Sequence, residues 1–138
     1  MSESVPSRRL LLVGRFAIAL VWLYHGLWCK LLGRSITQAA VVAGVPFLGA
    51  NASRIALMVI GAGEVVLAGW LLSGWRSRAA ALVQTLAIVA MNAGGLLWSR
   101  QAIHDPVGLV VQNLVLICLI WCVADQSCER KRADAECA

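Results

Sequence analysis

Charged residues are scarce in this chain. They make up 14% of its 138 residues, whereas hydrophobic residues make up 60% and the mean hydropathy is +0.78. A soluble domain has about a quarter charged residues, so the sequence does not describe an ordinary water-soluble protein. Histidine is also rare: His25 and His104 are the only two, and they are not spaced as paired haem ligands. The length predicts a single domain.

The sequence contains five cysteines but no C-x-x-C motif, so it lacks the cysteine pair that thiol-oxidising membrane reductases use. Cys118 and Cys122 are four residues apart on one predicted helix, and we expect them to pack as small residues, with redox chemistry or metal binding as the less favoured alternative. Cys128 and Cys137 follow in the C-terminal tail. In the orientation predicted below, four of the five cysteines lie toward the cytoplasm, where thiols stay reduced. The sequence requires no metal.

Four apolar runs are long enough to cross a membrane, since about 20 helical residues span its hydrocarbon core. Helices are expected because a chain in lipid must satisfy its own backbone hydrogen bonds. The fold class predicted is an all-α integral membrane protein, a four-transmembrane-helix bundle. Its spans cover about residues 10–28, 55–72, 79–98 and 107–124.

The positive charges predict the orientation of the bundle. Seven Lys and Arg residues lie on the side of the two termini and four on the other side. The richer side is normally cytoplasmic, so both termini are predicted to face the cytoplasm. The net charge of +5 then reflects topology and does not indicate nucleic-acid binding. Arg15 interrupts the first run, which therefore predicts a retained span, not a cleaved signal.

The connections differ in character. Residues 31–53 form the longest, and their apolar part is too short and too interrupted by glycine and proline to span. An interfacial or re-entrant segment between the first two spans is therefore predicted. Asp105 precedes Pro106 and is expected to cap the start of the fourth span. Residues 125–138 are predicted to be a charged, mobile cytoplasmic tail.

Glu64 lies near the middle of the second span, about 13 Å from its predicted start. An unpaired carboxylate at that depth costs about 2.5–3.5 kcal/mol on insertion scales, so Glu64 should face the bundle interior and have a partner. Gly61 and Ala68 lie on the same helical face. These small residues allow another helix to approach closely.

Polar side chains in the other three spans are predicted at a similar depth, in the outer half. His25 is a candidate proton carrier, and Lys30 is predicted at the rim as a compensating charge. Together they suggest one polar space that opens outward. The candidate ligand- or proton-binding residues are His25, Lys30, Glu64, Asn92, Asp105 and Asn113, with Gln112 at the same level. Interhelical hydrogen bonding is the alternative role for the amides. The six tryptophans are predicted to form mainly an interfacial belt.

Three segments, "VWLYHGLWCKLL", "GAGEVVLAGWLL" and "DPVGLVVQN", resemble the DoxX-like family of small four-helix bacterial membrane proteins. The resemblance covers most of residues 10–124. It implies a four-helix bundle in the inner membrane, and some relatives are associated with redox systems such as thiosulfate:quinone oxidoreductase. The polar positions of the family correspond here to His25, Lys30, Glu64, Asp105 and Asn113. No catalytic assignment comes with them.

Three functions remain open from the sequence. The first is an accessory or anchor subunit of a redox-linked membrane complex, with a site for a quinone-like or small polar ligand. The second is a small proton-coupled transporter that acts as an oligomer, with Glu64 as its proton site. The third is a structural scaffold without a ligand. Expected partners are the lipid bilayer and either other membrane subunits or further copies of the chain.

Overall fold

The computed structural model describes residues 8–136, and within that range every regular element is helical. The first span begins as an α-helix and ends as a π-helical segment. A short helix, two long helices and a 3-10 turn follow before the last and longest helix. In order, these elements are α1 (Arg8–Leu23), the π segment (Tyr24–Leu31), α2 (Ile36–Ala43), α3 (Ala50–Ser73), α4 (Ser77–Trp98), the 3-10 turn (Arg100–Ala102) and α5 (Pro106–Glu136).

Within residues 8–136, four helices are long and apolar enough to cross a membrane: α1 continued by the π segment, α3, α4 and α5. They contain the four runs predicted from hydropathy, so the predicted bundle is confirmed. Large hydrophobic side chains remain exposed on every one of them, for example Leu20, Val66, Leu86 and Val115. In a membrane protein such surfaces face lipid.

The bundle is organised around two helix pairs. The π segment and α1 pack on α3, α4 packs on α5, and α1 also contacts α5. The core between them is built from Ile18, Ala68, Ile88 and Ile120, all of which are almost fully buried. Small residues occupy much of the remaining interface, which allows close helix packing in lipid.

Helix α2 lies at one end of the bundle, called here the α2 end. Its eight residues are too few to span, and none of them is buried, as expected for the predicted interfacial segment. The Ser35 hydroxyl accepts a hydrogen bond from the Gln38 backbone N–H at 3.3 Å and caps the helix. At its other end, the Ser99 hydroxyl donates to the Val41 carbonyl at 2.6 Å and ties α2 to the end of α4.

The opposite end of the bundle is held by cations around Gly74. This glycine ends α3 in the left-handed conformation at φ 66°, and Lys131 donates to its carbonyl at 2.9 Å. Arg15 donates to the Ser127 hydroxyl at 3.0 Å. Cations suit a helix C-terminus because the helix dipole is negative there.

Residues 125–136 were predicted to belong to a mobile tail, but in the structure they are helical, because α5 continues to Glu136. Two features explain the extra helix. Lys131 anchors the extension to α3, and Arg130 forms an i,i+4 ion pair with Asp134 at 3.7 Å. Ion pairs at this spacing stabilise a helix by about 0.2–0.5 kcal/mol.

Candidate functional site

The π segment sets the geometry of the candidate site. Its hydrogen bonds join residues five apart, as in the 2.9 Å bond from the Leu32 N–H to the Leu27 carbonyl. Gly26 and Lys30, four residues apart in this segment, both lie on the side that packs against α3, and both are buried. Such π turns often occur at functional sites.

Gly26 and Gly61 bring the π segment and α3 into backbone contact. A Cβ atom at Gly26 would lie 2.7 Å from the Gly61 carbonyl oxygen, and one at Gly61 would lie 2.9 Å from the Gly26 carbonyl oxygen. Any other residue at either position would collide with the opposite backbone. The predicted small-residue face around Glu64 therefore serves close helix approach.

Lys30 and Glu64 form a buried ion pair directly beside this contact. The Lys30 ammonium lies 2.6 Å and 2.8 Å from the two carboxylate oxygens of Glu64, and the residues are only 8% and 3% exposed. Glu64 thus faces the interior with a partner, as predicted. Lys30, predicted at the rim as a compensating charge, is buried against α3 and forms this pair.

His25 does not pair with Glu64. Its Nδ1 lies 2.9 Å from the side-chain nitrogen of Gln38 on α2, and the His25 side chain is exposed. The amide oxygen of Gln38 is buried and has no hydrogen-bond partner within residues 8–136. Rotating the amide by half a turn would exchange its oxygen and nitrogen. One of the two polar atoms therefore stays buried and unpaired in either orientation.

The amides of α4 and α5 form a separate contact. Asn113 donates to Asn92 at 2.8 Å between two half-buried side chains, which is the interhelical hydrogen bond considered as their alternative role. Gln112 beside it is exposed. The direct contacts of the polar set thus form three groups, Lys30–Glu64, His25–Gln38 and Asn92–Asn113, and not one continuous network.

Asp105 caps the last helix. Its carboxylate accepts a hydrogen bond from the Gly108 N–H at 2.9 Å, and its carbonyl accepts one from the Leu109 N–H at 3.1 Å. Helix α5 begins at Pro106, so the predicted start of the fourth span is confirmed. The carboxylate occupies the space in which a Cβ of residue 108 would lie, which favours glycine there.

The structure also contains a buried polar contact that the sequence reasoning missed. Gln84 is fully buried in α4, accepts a hydrogen bond from the Trp22 indole at 2.8 Å and donates to the Ala80 carbonyl at 3.1 Å. The signal for it was the position of Gln84 between Ala80 and Ile88, on the buried face of α4. Trp22 is therefore a core residue and does not belong to an interfacial belt.

The cysteines are also placed differently from the prediction. Cys118 and Cys122 are exposed on α5, so they do not pack inside the bundle. Cys29 is buried, and Cys128 is half-buried. Among residues 8–136, no three His, Cys, Asp or Glu side chains are grouped closely enough to hold a metal ion.

Two surface recesses lie near the α2 end. One, of about 390 Å³, is lined by Ala40, Trp98 and Arg100 among others. The other, of about 380 Å³, is lined mainly by Pro106, Val107 and neighbouring apolar residues of α5. Neither is lined by Glu64. The ion pair is therefore not a wall of either recess.

The chain was compared with protein families, curated proteins and solved structures. No curated protein and no solved structure gives a significant match. A profile of the DoxX-like family matches residues 19–121, a range that includes all three resemblance segments as well as the π segment and the buried ion pair. With its four apolar helices, this protein is a multi-pass integral membrane protein that contacts the lipid bilayer, and it belongs to the DoxX-like family.

Proposed function

We propose that this protein is an accessory or anchor subunit of a redox-linked complex in the bacterial inner membrane. In this proposal both termini face the cytoplasm and the α2 end faces outward. The polar residues beneath α2 bind a small hydrogen-bonding ligand of the quinone class. The inward orientation of the termini is supported by the seven-to-four distribution of Lys and Arg.

The unpaired amide atom of Gln38 is the observation that carries the ligand site. Buried polar atoms normally have a hydrogen-bond partner, and each exception requires an explanation. Gln38 lies against His25, whose exposed ring has a second nitrogen available for hydrogen bonding. A quinone carbonyl accepts a hydrogen bond and a hydroquinone hydroxyl donates one. The two redox forms of such a ligand can therefore satisfy either orientation of the Gln38 amide.

Helix α2 supplies a way into this site. It has no buried residue, so a small displacement of α2 costs little buried apolar area. Lys30 lies on the same π segment as His25, and its ion pair with Glu64 joins that segment to α3. In the proposal the ion pair therefore positions His25, while α2 moves to admit the ligand.

The two alternatives make different demands on the ion pair. A proton-coupled transporter needs Glu64 to exchange a proton, which requires that its contact with Lys30 be broken during each cycle. A scaffold needs the ion pair for stability only and gives no role to Gln38 and His25. Proton-dependent flux in liposomes that is lost in Glu64→Gln would support the transporter.

The ligand site is tested with decylubiquinone and the purified protein in nanodiscs. Binding is followed by quenching of tryptophan fluorescence. We expect Gln38→Leu to weaken binding by about 5- to 30-fold, the effect of losing one or two hydrogen bonds. Gln101→Leu is the matched control, since Gln101 is an exposed glutamine at the same end of the bundle. Equal binding by all three proteins, or none by the wild type, would overturn the quinone assignment.

The subunit role is tested separately. The full chain is purified from its native membrane in a mild detergent, and proteins that accompany it in stoichiometric amounts are identified. A redox enzyme among them is the expected result. Recovery of the chain alone, with quinone binding intact, would reject the accessory role and leave the ligand site standing.

A further inference from the structure

We propose that two copies of this chain form a parallel dimer through one face of α5. The face is a stripe of positions that alternate at intervals of four and three residues, and it is called here the α5 stripe. It is independent of the quinone-class ligand proposed above. The α5 stripe consists of Gly108, Gln112, Val115, Leu119, Cys122 and Gln126.

The proposal rests on Gln112, an exposed amide that needs a hydrogen-bond partner. It lies six residues after Pro106, about 9 Å along α5, and its side chain is exposed between the exposed Val111 and Leu114. In residues 8–136, no other side chain forms a hydrogen bond with it. An amide facing hydrocarbon without such a bond is unfavourable, whereas the adjacent Asn113 is satisfied by Asn92.

A second copy satisfies Gln112 by symmetry. A glutamine side chain both donates and accepts hydrogen bonds, so two of them facing each other across a two-fold axis are complementary. Both copies insert in the membrane with the same orientation, and the axis must then be parallel to the membrane normal. This arrangement makes the two α5 helices parallel.

The spacing of the α5 stripe fits this arrangement. Alternating intervals of three and four residues are the pattern by which two helices pack along a common seam, and a single polar residue within such a seam fixes the register. Val115, Leu119 and Cys122 are all exposed, so the rest of the bundle leaves the middle of the stripe uncovered.

Two natural cysteines provide a direct test. Cys122 lies in the α5 stripe, whereas Cys118 is equally exposed but lies on its flank. A disulfide requires Cβ atoms about 3.5–4.5 Å apart, which residues near the two-fold axis approach and flanking residues do not. Variants that keep one cysteine and carry Ala at the other four positions are oxidised in membranes with copper phenanthroline. The reagent removes two electrons, and the two thiols lose two protons as the S–S bond forms.

We expect the variant that retains Cys122 to form a covalent dimer at least tenfold faster than the variant that retains Cys118. Equal rates would indicate random collision, and faster reaction of Cys118 would place any interface on another face. Either result overturns the proposal. Absence of dimer from both variants also overturns it, provided that both remain folded and their thiols react with a small maleimide.

A second measurement does not depend on cysteine. The association constant of the otherwise unmodified chain is measured by single-molecule photobleaching or fluorescence energy transfer in lipid bilayers. Gln112→Leu should weaken association by about 3- to 20-fold, the effect expected for an interhelical hydrogen bond in a membrane. Val111→Ala, at a neighbouring exposed position outside the α5 stripe, should leave it unchanged. A monomeric wild type, or equal effects of both variants, would refute the dimer.

Discussion

The Lys30 ammonium and the Glu64 carboxylate form two short contacts, 2.6 Å and 2.8 Å, in a part of the bundle from which solvent is excluded. Within this contact, each charge is neutralised by the other. The pair also joins two elements, the π segment and α3, whose backbones touch at Gly26 and Gly61. Charge pairing and close helix packing therefore depend on each other at this position.

Glu64→Gln should destabilise the protein. The substitution leaves the Lys30 ammonium buried without a counter-charge, and breaking one side of a buried ion pair costs about 3–5 kcal/mol. The double variant Lys30→Met with Glu64→Leu removes both charges and should recover most of the loss. Thermal unfolding in detergent measures both effects.

The exposed pair Arg78–Asp125 is the matched control. Its atoms are 3.1 Å apart but both side chains are more than half exposed, and such pairs contribute about 0–1 kcal/mol. Asp125→Asn should therefore melt close to the wild type. If Glu64→Gln did the same, the ion pair would have no structural importance, and any loss of activity in that variant would be a direct effect.

Gly26→Ala should disrupt packing between the π segment and α3. The added methyl group would meet the Gly61 carbonyl at 2.7 Å and the Cβ of Glu64 at 2.8 Å, and helix backbones cannot yield locally at such a contact. Gly63→Ala on α3 meets nothing within 4 Å and should be neutral or stabilising, since alanine has the higher helical propensity. Unfolding curves in which both variants behave alike would contradict the close approach.

Trp22→Phe should be more damaging than Trp121→Phe. Removal of the Trp22 indole leaves the fully buried oxygen of Gln84 without a donor, at a cost of about 1–3 kcal/mol. Trp121 donates to the Thr85 hydroxyl at 3.1 Å, but that hydroxyl keeps its own bond to the Ala81 carbonyl at 2.8 Å. Adding Gln84→Leu to Trp22→Phe should restore part of the lost stability. Differential unfolding by denaturant compares the three, and a larger effect at Trp121 would show that the Gln84 contact is weak.

The predicted orientation can be tested with Cys137, which lies outside the described residues. A variant that keeps this cysteine alone should not react with a membrane-impermeant maleimide in intact cells, and it should react once the cells are permeabilised. The expectation rests on the excess of Lys and Arg on the side of the termini. Labelling in intact cells would reverse the topology and place the α2 end in the cytoplasm.

The sequence predicts how far along each span a polar residue lies, but not which helices lie next to each other in the bundle. Hydropathy locates four spans, and the cost of an unpaired carboxylate in lipid predicts that Glu64 faces inward. It does not specify which helix lies beside which, so the partner of Glu64 stayed open between Lys30 and His25, and the contact of His25 with Gln38 was not predicted. The burial of Lys30 was not visible in the sequence, because it depends on the close approach of the π segment to α3 at Gly26 and Gly61.

Two further differences between the prediction and the structure also have local causes. Gln84 was overlooked because a single amide among alanines and leucines barely alters the hydropathy of α4, although its spacing from Ile88 marks the buried face. The helical character of the C-terminal extension was missed because its composition resembles a soluble tail. Its helix depends on a tertiary contact, the bond from Lys131 to the Gly74 carbonyl.

The length of α5 has a mechanical consequence. Its 31 residues extend about 46 Å, whereas the hydrocarbon core is about 30 Å thick. Roughly 15 Å of continuous helix therefore extends beyond the hydrocarbon core. Hydrogen bonds made by Lys131 and Arg15 hold this part of α5 to the rest of the bundle. A reporter attached at Glu136, the last residue of α5, would be held at a nearly constant height above the lipid headgroups and would report distances to the membrane surface.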